Sequence, residues 1–315
     1  MEYRELGATG LRVSRLCYGT LTLGPLQAKL PVREGAELLS AAFDRGINFL
    51  DTAELYRNYE YIKYGIHGRR DKVIISSKCY AYSAETAEDS LQRALKEIGT
   101  DYIDVFSLHE QESEHTLRGH QEALEYFIKA KEKGYIRAVG ISTHAIAAVR
   151  ATLMYPEIQV IHPIINKAGL GIIDGGAEEM LQAIEAAAKA GKGIYSMKAL
   201  GGGNLINNAQ ECFEFVLQKE YIHSVAVGMQ SLPEIINNIG VFEGAAVPEE
   251  IKNQISSKKR RLLIDDWCTG CGRCSEKCNQ RALEVQQGKA SVNGSKCVLC
   301  GYCSAYCPDF CIKII

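Results

Sequence analysis

The sequence predicts an α/β fold, a (β/α)8 TIM barrel followed by a small cysteine-rich domain. Apolar runs of strand length alternate with stretches whose apolar residues recur at helical spacing, which is typical of parallel strands joined by helices. Eight such units within about 240 residues favour a closed barrel over an open sheet. Nine of the 12 cysteines lie between Cys268 and Cys311, where large apolar residues are few. This last segment therefore needs a source of stability other than an apolar core.

The barrel strands follow from the apolar runs. They are predicted at Leu16–Gly19, Ile47–Leu50, Val73–Ile75, Ile103–Leu108, Ile136–Ile141, Ile158–Ile161, Gly193–Met197 and Ser224–Val227. Helices are predicted between them, for example over Ala84–Ile98 and Gly119–Lys133, each followed by a glycine of the kind that ends helices. A doubly wound dinucleotide-binding fold is the alternative, but the first strand-to-helix turn has no GxGxxG motif.

The chain divides into three predicted parts. The barrel is expected over residues 1–245, a linker with one helix over 246–261, and the cysteine-rich domain over 262–315. The basic run Lys258–Arg261 is interpreted as the solvated face of the linker helix, with a docking patch for an acidic protein as the alternative.

Charge and hydropathy exclude whole classes of partner. The formal net charge is −2 at pH 7, which gives no general attraction for nucleic acid or an anionic membrane. No run of about 18 apolar residues occurs, so no transmembrane helix is expected. The first residues are charged throughout, unlike a secretory signal, and we expect a cytoplasmic protein. In a reducing compartment, dense cysteines indicate metal ligands more than disulfides.

The final cysteines form two runs with the spacing C-x2-C-x2-C-x3-C. Zinc ribbons are the alternative, but they offer cysteine pairs at longer separation. Over about 50 residues the segment resembles two-cluster bacterial ferredoxins, in which the fourth cysteine of each run ligates the other 4Fe-4S cluster. One departure is Asn279, where that family often has proline. The resemblance implies two ligand sets: Cys268, Cys271, Cys274 and Cys307 for cluster I, and Cys297, Cys300, Cys303 and Cys278 for cluster II.

Three polar residues close predicted barrel strands. Asp51 ends INFLD, Lys78 ends KVIISSK and His109 ends YIDVFSLH, while Tyr56 lies in the loop after Asp51. Barrel enzymes place their chemistry at this rim. Tyr56 can protonate a carbonyl oxygen if the Lys78 ammonium lowers its pKa, and Asp51 can orient Lys78. His109, when neutral, can donate a hydrogen bond that orients the carbonyl oxygen. The alternative for each residue taken singly is an ordinary structural role, such as a helix cap or a surface charge.

The motifs DTAELY, VIISSK, GTDYIDVFSLH, VGIS and ALGGG together resemble the aldo-keto reductase family over about residues 1–240. The resemblance implies that Asp51, Tyr56, Lys78 and His109 form the family's catalytic tetrad, with a nicotinamide as hydride donor. It further implies binding residues for that cofactor: Ser142, Thr143 and Gln159 on the carboxamide side, Met197 and Lys198 against the ring, and Gly228, Gln230, Ser231 and Asn238 around the adenosine end.

The choice of cofactor stays open. Met197 stands where many family members have an aromatic residue, and Gln230, Ser231 and Glu234 stand where NADPH-specific members have Lys or Arg. NADH is therefore slightly favoured over NADPH, because a 2′-phosphate needs a cation. A flavin is a further alternative, because hydride transfer moves two electrons whereas an iron-sulfur cluster passes one.

Three functions are compatible with these residues. The favoured one is an oxidoreductase acting on a small carbonyl or alcohol substrate, whose clusters exchange electrons between a soluble carrier of the ferredoxin or flavodoxin type and the barrel. The second is an ordinary NAD(P)H-dependent carbonyl reductase whose cluster domain serves docking, redox sensing or stability. The third is an electron-transfer subunit of a redox complex, against which the four polar residues of the barrel argue.

Overall fold

The computed structural model describes residues 1–315. A short hairpin of β1 (Tyr3–Glu5) and β2 (Arg12–Ser14) comes first. Eight parallel strands then close into a barrel: β3 (Leu16–Gly19), β4 (Phe49–Asp51), β5 (Ile74–Cys79), β6 (Ile103–Leu108), β7 (Ile136–Thr143), β8 (Val160–Pro163), β9 (Gly193–Met197) and β10 (Ser224–Gly228). The predicted barrel is confirmed, and the strands differ from the predicted ranges mainly at their ends.

Helices connect the strands. They are α1 (Val32–Phe43), α2 (Tyr59–Gly65), α3 (Ala84–Ile98), α4 (Glu114–Gly119), α5 (Gln121–Glu132), α6 (Ile146–Ala151), α7 (Ala177–Lys189), α8 (Ala209–Leu217) and α9 (Leu232–Glu243). The clearest boundary is that of α3, where Ser83 caps the first turn and Gly99 ends the helix in the left-handed conformation. None of the helices combines the length and apolar character that crossing a membrane demands.

The two ends of the barrel differ. At the amino end of the strands, Leu6, Leu11 and Val13 of the hairpin region pack with inward residues such as Phe49 and Val105. The hairpin thus closes that end with apolar side chains. The carboxyl termini of the strands lie at the other end. This end is lined by polar residues, and the second domain packs against it.

The linker contains α10 (Glu249–Ser256), and the last domain follows it. Here β11 (Leu262–Ile264) pairs antiparallel with β14 (Ile312–Ile314), and β12 (Leu283–Gln286) pairs antiparallel with β13 (Lys289–Val292). One short helix, α11 (Arg273–Glu276), lies between β11 and β12. Two two-stranded sheets and one short helix bury little apolar surface. This agrees with the expectation that another source of stability is present.

The second domain packs directly on the loops that follow β8 and β9. Asn204 donates its side-chain amide to the backbone oxygen of Ile312 at 3.0 Å. Gly203 has φ of 86°, and a Cβ there would lie 1.9 Å from the backbone oxygen of Ile314. Phe310 is 3% exposed and joins the main core of the barrel. The contact is therefore made by backbone and buried side chains at the carboxyl end of the barrel.

Candidate active site and cluster sites

Neighbouring strands bring the predicted tetrad to one edge. Asp51 ends β4, Lys78 lies next to last in β5, and His109 directly follows β6. Their register places Asp51 beside Ser76 and Lys78 beside Ser107, so successive strands present these side chains side by side.

Asp51 and Lys78 form a buried ion pair. The Lys78 Nζ donates to Asp51 Oδ1 at 2.7 Å and to the Thr52 backbone oxygen at 2.6 Å. Their side chains are 6% and 1% exposed. A charge buried this deeply requires a partner, so each residue fixes the orientation of the other.

Two residues not singled out from the sequence complete this pair. The Tyr195 hydroxyl donates to Asp51 Oδ1 at 2.9 Å, and the His162 ring stacks on Tyr195 with centroids 3.9 Å apart. His162 Nε2 lies 3.6 Å from Asp51 Oδ1. Burial lowers the pKa of His162 to about 4, so its ring is neutral at pH 7. His162 lies near the carboxyl end of β8, the same signal that identified Asp51, and it could have been found in this way.

Tyr56 lies in a short turn above the ion pair, with Lys78 Nζ 5.1 Å from the centre of its ring. Its pKa differs from the sequence-based expectation. Burial, followed by the charge of Asp51, raises the pKa well above the ordinary value of tyrosine. The Lys78 charge is compensated by Asp51 and does not outweigh burial. Tyr56 therefore keeps its proton at neutral pH, which suits a proton donor but not a phenolate.

His109 is a neutral residue with unused hydrogen-bonding capacity. Its ring stacks on Tyr80 at 4.6 Å and lies edge-on to Tyr56 at 6.0 Å. Burial, followed by the charge of Lys78, lowers its pKa well below the ordinary value. The side chain is buried, and Nδ1 has no hydrogen-bond partner. A buried nitrogen without a partner costs free energy, and a bound oxygen would satisfy it if the ring tautomer placed its proton there.

The residues predicted on the carboxamide side of a nicotinamide do not come together. Ser142 and Thr143 end β7, but their hydroxyls already accept hydrogen bonds from the backbone of Glu110 and Ala145, at 2.9 and 2.8 Å. The prediction for Gln159 is wrong. It precedes β8 and therefore lies at the amino end of the strand, where its side chain accepts a hydrogen bond from Lys131.

Met197 and Lys198 do reach the carboxyl end of the barrel, because they end and follow β9. Lys198 Nζ donates to His144 Nε2 at 2.9 Å. The Lys198 backbone has φ of 60°, a left-handed value that is uncommon for a residue with a side chain. Such strain is often found at functional sites.

The loop predicted to hold the adenosine end lies at the end of β10 and the start of α9. Gly228 ends β10, Ser231 caps α9, and Asn238 is buried within that helix. Lys258, from the linker, donates to Gln230 Oε1 at 2.6 Å and to Glu234 Oε1 at 2.8 Å.

The contact with Lys258 corrects one premise of the sequence analysis. A cation does stand beside Gln230, supplied from a distant part of the chain and paired with Glu234. The basic run is therefore not wholly solvated, since its first residue contacts the barrel. With Lys258 in this position, the adenosine end does not lack a cation, and NADH is no longer favoured over NADPH on that ground.

Cluster site I is a cavity in the second domain. Its cysteines are the four assigned by their spacing, Cys268, Cys271, Cys274 and Cys307, together with Cys311. Backbone amides of Ala290 and Cys311 point at the sulfurs of Cys268 and Cys307 at 3.4 and 3.3 Å. Amides directed at sulfur stabilise the thiolates that ligate iron, so the donor set fits a 4Fe-4S cluster.

Cluster site II is a second cavity, and its cysteines are Cys278, Cys297, Cys300 and Cys303. The Ala282 amide points at Cys278 Sγ at 3.3 Å. Each cavity thus collects three cysteines of one run and the fourth of the other, the arrangement that the ferredoxin resemblance implies. Cys271 in site I and Cys300 in site II are exposed, so both sites reach the protein surface.

Comparison with known proteins agrees with the description of both the barrel and the cluster domain. The family model "Aldo/keto reductase family" matches residues 15–213, and the model "4Fe-4S dicluster domain" matches residues 261–308. An uncharacterized oxidoreductase of Bacillus subtilis, YqkF, is 24% identical over 84% of this chain and 94% of its own length. L-galactose dehydrogenase of Arabidopsis thaliana is 23% identical over 86% of this chain and 98% of its own.

Solved structures give the same result. A Pseudomonas aeruginosa protein assigned to the aldo-keto reductases is 29% identical and superposes with a TM-score of 0.67, covering 76% of this chain and 93% of its own. The barrel, the oxidoreductase relatives and the matched segments agree. The chain belongs to the aldo/keto reductase family, and it carries a 4Fe-4S dicluster domain after its barrel.

Proposed function

We propose that this oxidoreductase interconverts a small carbonyl compound and its alcohol at the carboxyl end of the barrel, with two 4Fe-4S clusters exchanging electrons between a soluble carrier and that site. The observation that supports this most is the position of the cluster domain. It packs on the loops after β8 and β9, at the same end of the barrel as the tetrad, through Phe310 and β14. A domain serving stability alone would have no reason to lie there.

The tetrad supplies the proton chemistry. Tyr56 retains its proton and donates it to the carbonyl oxygen, and neutral His109 donates a hydrogen bond that orients that oxygen. The Asp51–Lys78 pair carries no net charge and fixes the surroundings of Tyr56. Clusters held in sites I and II would each pass one electron, which together would match the two electrons that a carbonyl reduction consumes. Tyr56 would supply the proton that goes to oxygen, and solvent would supply the second proton, which goes to carbon.

A short series of contacts leads from the cluster domain to the barrel. Cys307 and Cys311 lie in site I, and Phe310 directly precedes Cys311. The Phe310 ring lies edge-on to the ring of His144, with centroids 6.0 Å apart. His144 in turn accepts the hydrogen bond of Lys198. We propose that electrons pass between site I and the barrel through this region.

The second candidate is an NAD(P)H-dependent carbonyl reductase. It is favoured by the loop from Gly228 to Asn238 and by Lys258, which could face a nucleotide phosphate. Under this proposal the cluster domain would be accessory. A flavin bound in the barrel would offer a third route, because it converts between one- and two-electron steps.

One experiment separates these candidates. Protein purified without oxygen is analysed for iron, sulfide, flavin and nicotinamide, then reduced with a low-potential donor and mixed with a panel of carbonyl compounds in the absence of added nucleotide. We expect alcohol to form in proportion to the reduced clusters. If alcohol forms only with NADH or NADPH, and protein freed of its clusters is equally active, the second candidate is correct.

A further inference from the structure

Two lysines from different domains meet on one aromatic ring at the domain junction. Lys313 Nζ of β14 lies 3.5 Å from the centre of the Phe310 ring, and Lys198 Nζ of the barrel lies 5.1 Å from the same centre. Lys313 is buried and Lys198 is half-buried. Two ammonium groups so placed repel each other in surroundings that screen charge poorly.

Negative charge at this junction does not balance the two lysines. Asp265 Oδ2 lies 3.8 Å from Lys313 Nζ and compensates that lysine. The hydrogen-bond partner of Lys198 is the ring of His144, which is neutral because burial lowers its pKa well below the ordinary value. The Glu110 carboxylate accepts a hydrogen bond from the Tyr80 hydroxyl. Lys198 is therefore a half-buried cation without a carboxylate partner.

Lys198 also lies at the same end of the barrel as the tetrad. It directly follows β9, the neighbour of β8, which carries His162, and its Nζ donates to His144, just beyond the end of β7. The backbone on both sides of the junction is strained, since Lys198 has φ of 60° and Phe310 has φ of 46°. Strain of this kind persists where the surrounding structure fixes a side chain for a purpose.

We propose that Lys198, assisted by Lys313, binds the carboxylate of the substrate, so that the enzyme acts on small oxo acids and the corresponding hydroxy acids. The carboxylate would compensate the surplus charge at the junction, while the carbonyl group lies between Tyr56 and His109. This inference rests on the proposed function and gives it a substrate class. It also gives the cluster domain, through Lys313, a part in the substrate site.

Direct binding tests the anion site without turnover. Oxamate, an unreactive carboxylate, and oxamide, its uncharged counterpart, are titrated calorimetrically into the complete, cluster-loaded protein. We expect oxamate to bind and oxamide to bind at least about tenfold more weakly, as loss of a charge-assisted hydrogen bond implies. Lys198→Met should weaken oxamate binding by about tenfold or more. The matched control Lys189→Met, an exposed lysine of α7, should change nothing.

The outcomes are distinguishable from those for the proposed function. Equal binding of oxamate and oxamide, unchanged oxamate binding in Lys198→Met, or binding of inorganic phosphate without oxamate would each overturn the anion site. In turnover, Lys198→Met should reduce the ratio of kcat/KM for a 2-oxo acid to that for its methyl ester. If wild-type protein reduces acid and ester equally well, the anion site is wrong and the carbonyl reductase stands. If no carbonyl compound reacts, the proposed function fails, while the oxamate titration still tests the site.

Discussion

The barrel and the cluster domain are stabilised by different means. The barrel encloses a main core of 56 buried residues, nearly all aliphatic or aromatic. The core of the cluster domain itself consists of eight buried residues, and three of them are cysteines: Cys274, Cys303 and Cys311. The first region can fold on hydrophobic burial alone, whereas the second depends on bonds between thiolates and iron. Apolar patterning thus defines one region and ligand spacing the other.

Removal of the clusters should show the difference between the two regions most clearly. Without iron, we expect β11 to β14 to lose their ordered structure, because the few buried residues cannot offset the conformational entropy of about 50 residues. The barrel should keep its strands. Hydrogen exchange before and after oxidative removal of iron measures both regions in one sample. Persistent protection of β12 and β13 in iron-free protein would contradict the comparison.

Tyr56→Phe should have the largest effect on activity. Loss of the proton donor is expected to lower kcat by about 10²–10⁴-fold, the usual contribution of general acid catalysis. The visible absorption of the clusters should not change, because Tyr56 lies in the barrel. Tyr64→Phe, at a tyrosine that is 56% exposed, is the matched control. Undiminished carbonyl reduction by Tyr56→Phe would refute its assigned role.

Asp51→Asn should have the largest effect on the stability of the barrel. The substitution leaves the Lys78 ammonium buried without its carboxylate, at a cost of about 3–5 kcal/mol. The double variant Asp51→Asn/Lys78→Met should recover much of that loss, because it removes the unpaired charge. Urea unfolding followed by circular dichroism measures both. A double variant no more stable than the single one would mean that the pair matters for packing and not for charge.

The effect of pH on carboxylate binding should be smaller than the effects of Tyr56→Phe and Asp51→Asn. Burial lowers the pKa of Lys198 to about 8. Lys198 is charged below this value and loses its proton as the pH rises. Oxamate affinity should therefore fall from pH 7 to 9, by roughly tenfold per unit above pH 8. The nearby Asp265, Glu110 and Lys78 face the same site.

Calorimetry in two buffers of different ionisation enthalpy tests the sign. Oxamate binding should take up protons near pH 8, because a bound anion raises the pKa of the lysines. Affinity that is constant from pH 7 to 9 would exclude binding by the charged lysines.

Lys258→Met should have the smallest effect. Its ion pair with Glu234 joins the linker to the barrel, and the two side chains are 30% and 14% exposed. Partly exposed pairs of this kind contribute about 1 kcal/mol or less. Thermal unfolding of this variant beside Lys252→Met, an exposed lysine of α10, would measure it. A loss comparable to that of Asp51→Asn would show that the linker is integral to the barrel.

The sequence predicts most of the fold because barrel strands are continuous apolar runs and cluster ligands have fixed spacing. It also indicates the tetrad, since Asp51, Lys78 and His109 lie at strand ends. It fails where the relevant contact joins distant segments. No local sequence pattern reveals that Lys258 contacts Gln230 or that Lys313 lies beside Lys198.

Other errors concern position and environment. The family resemblance implies that Gln159 binds the nicotinamide, but this residue precedes β8 and lies at the amino end of that strand. The pKa of Tyr56 depends on how deeply its hydroxyl is buried, and sequence spacing holds no information on burial.

Backbone meets backbone where the two domains join, with no side chain between Gly203 and Ile314. At this point of the junction the main chain itself sets the distance between the two domains, because no side chain can be shortened there to bring them closer. An added methyl group at Gly203 would act as a wedge, leaving the tetrad and the cysteines intact while moving them apart. Under the proposed function, Gly203→Ala would therefore give an uncoupled form of the enzyme, in which the chemistry of each half can be studied alone.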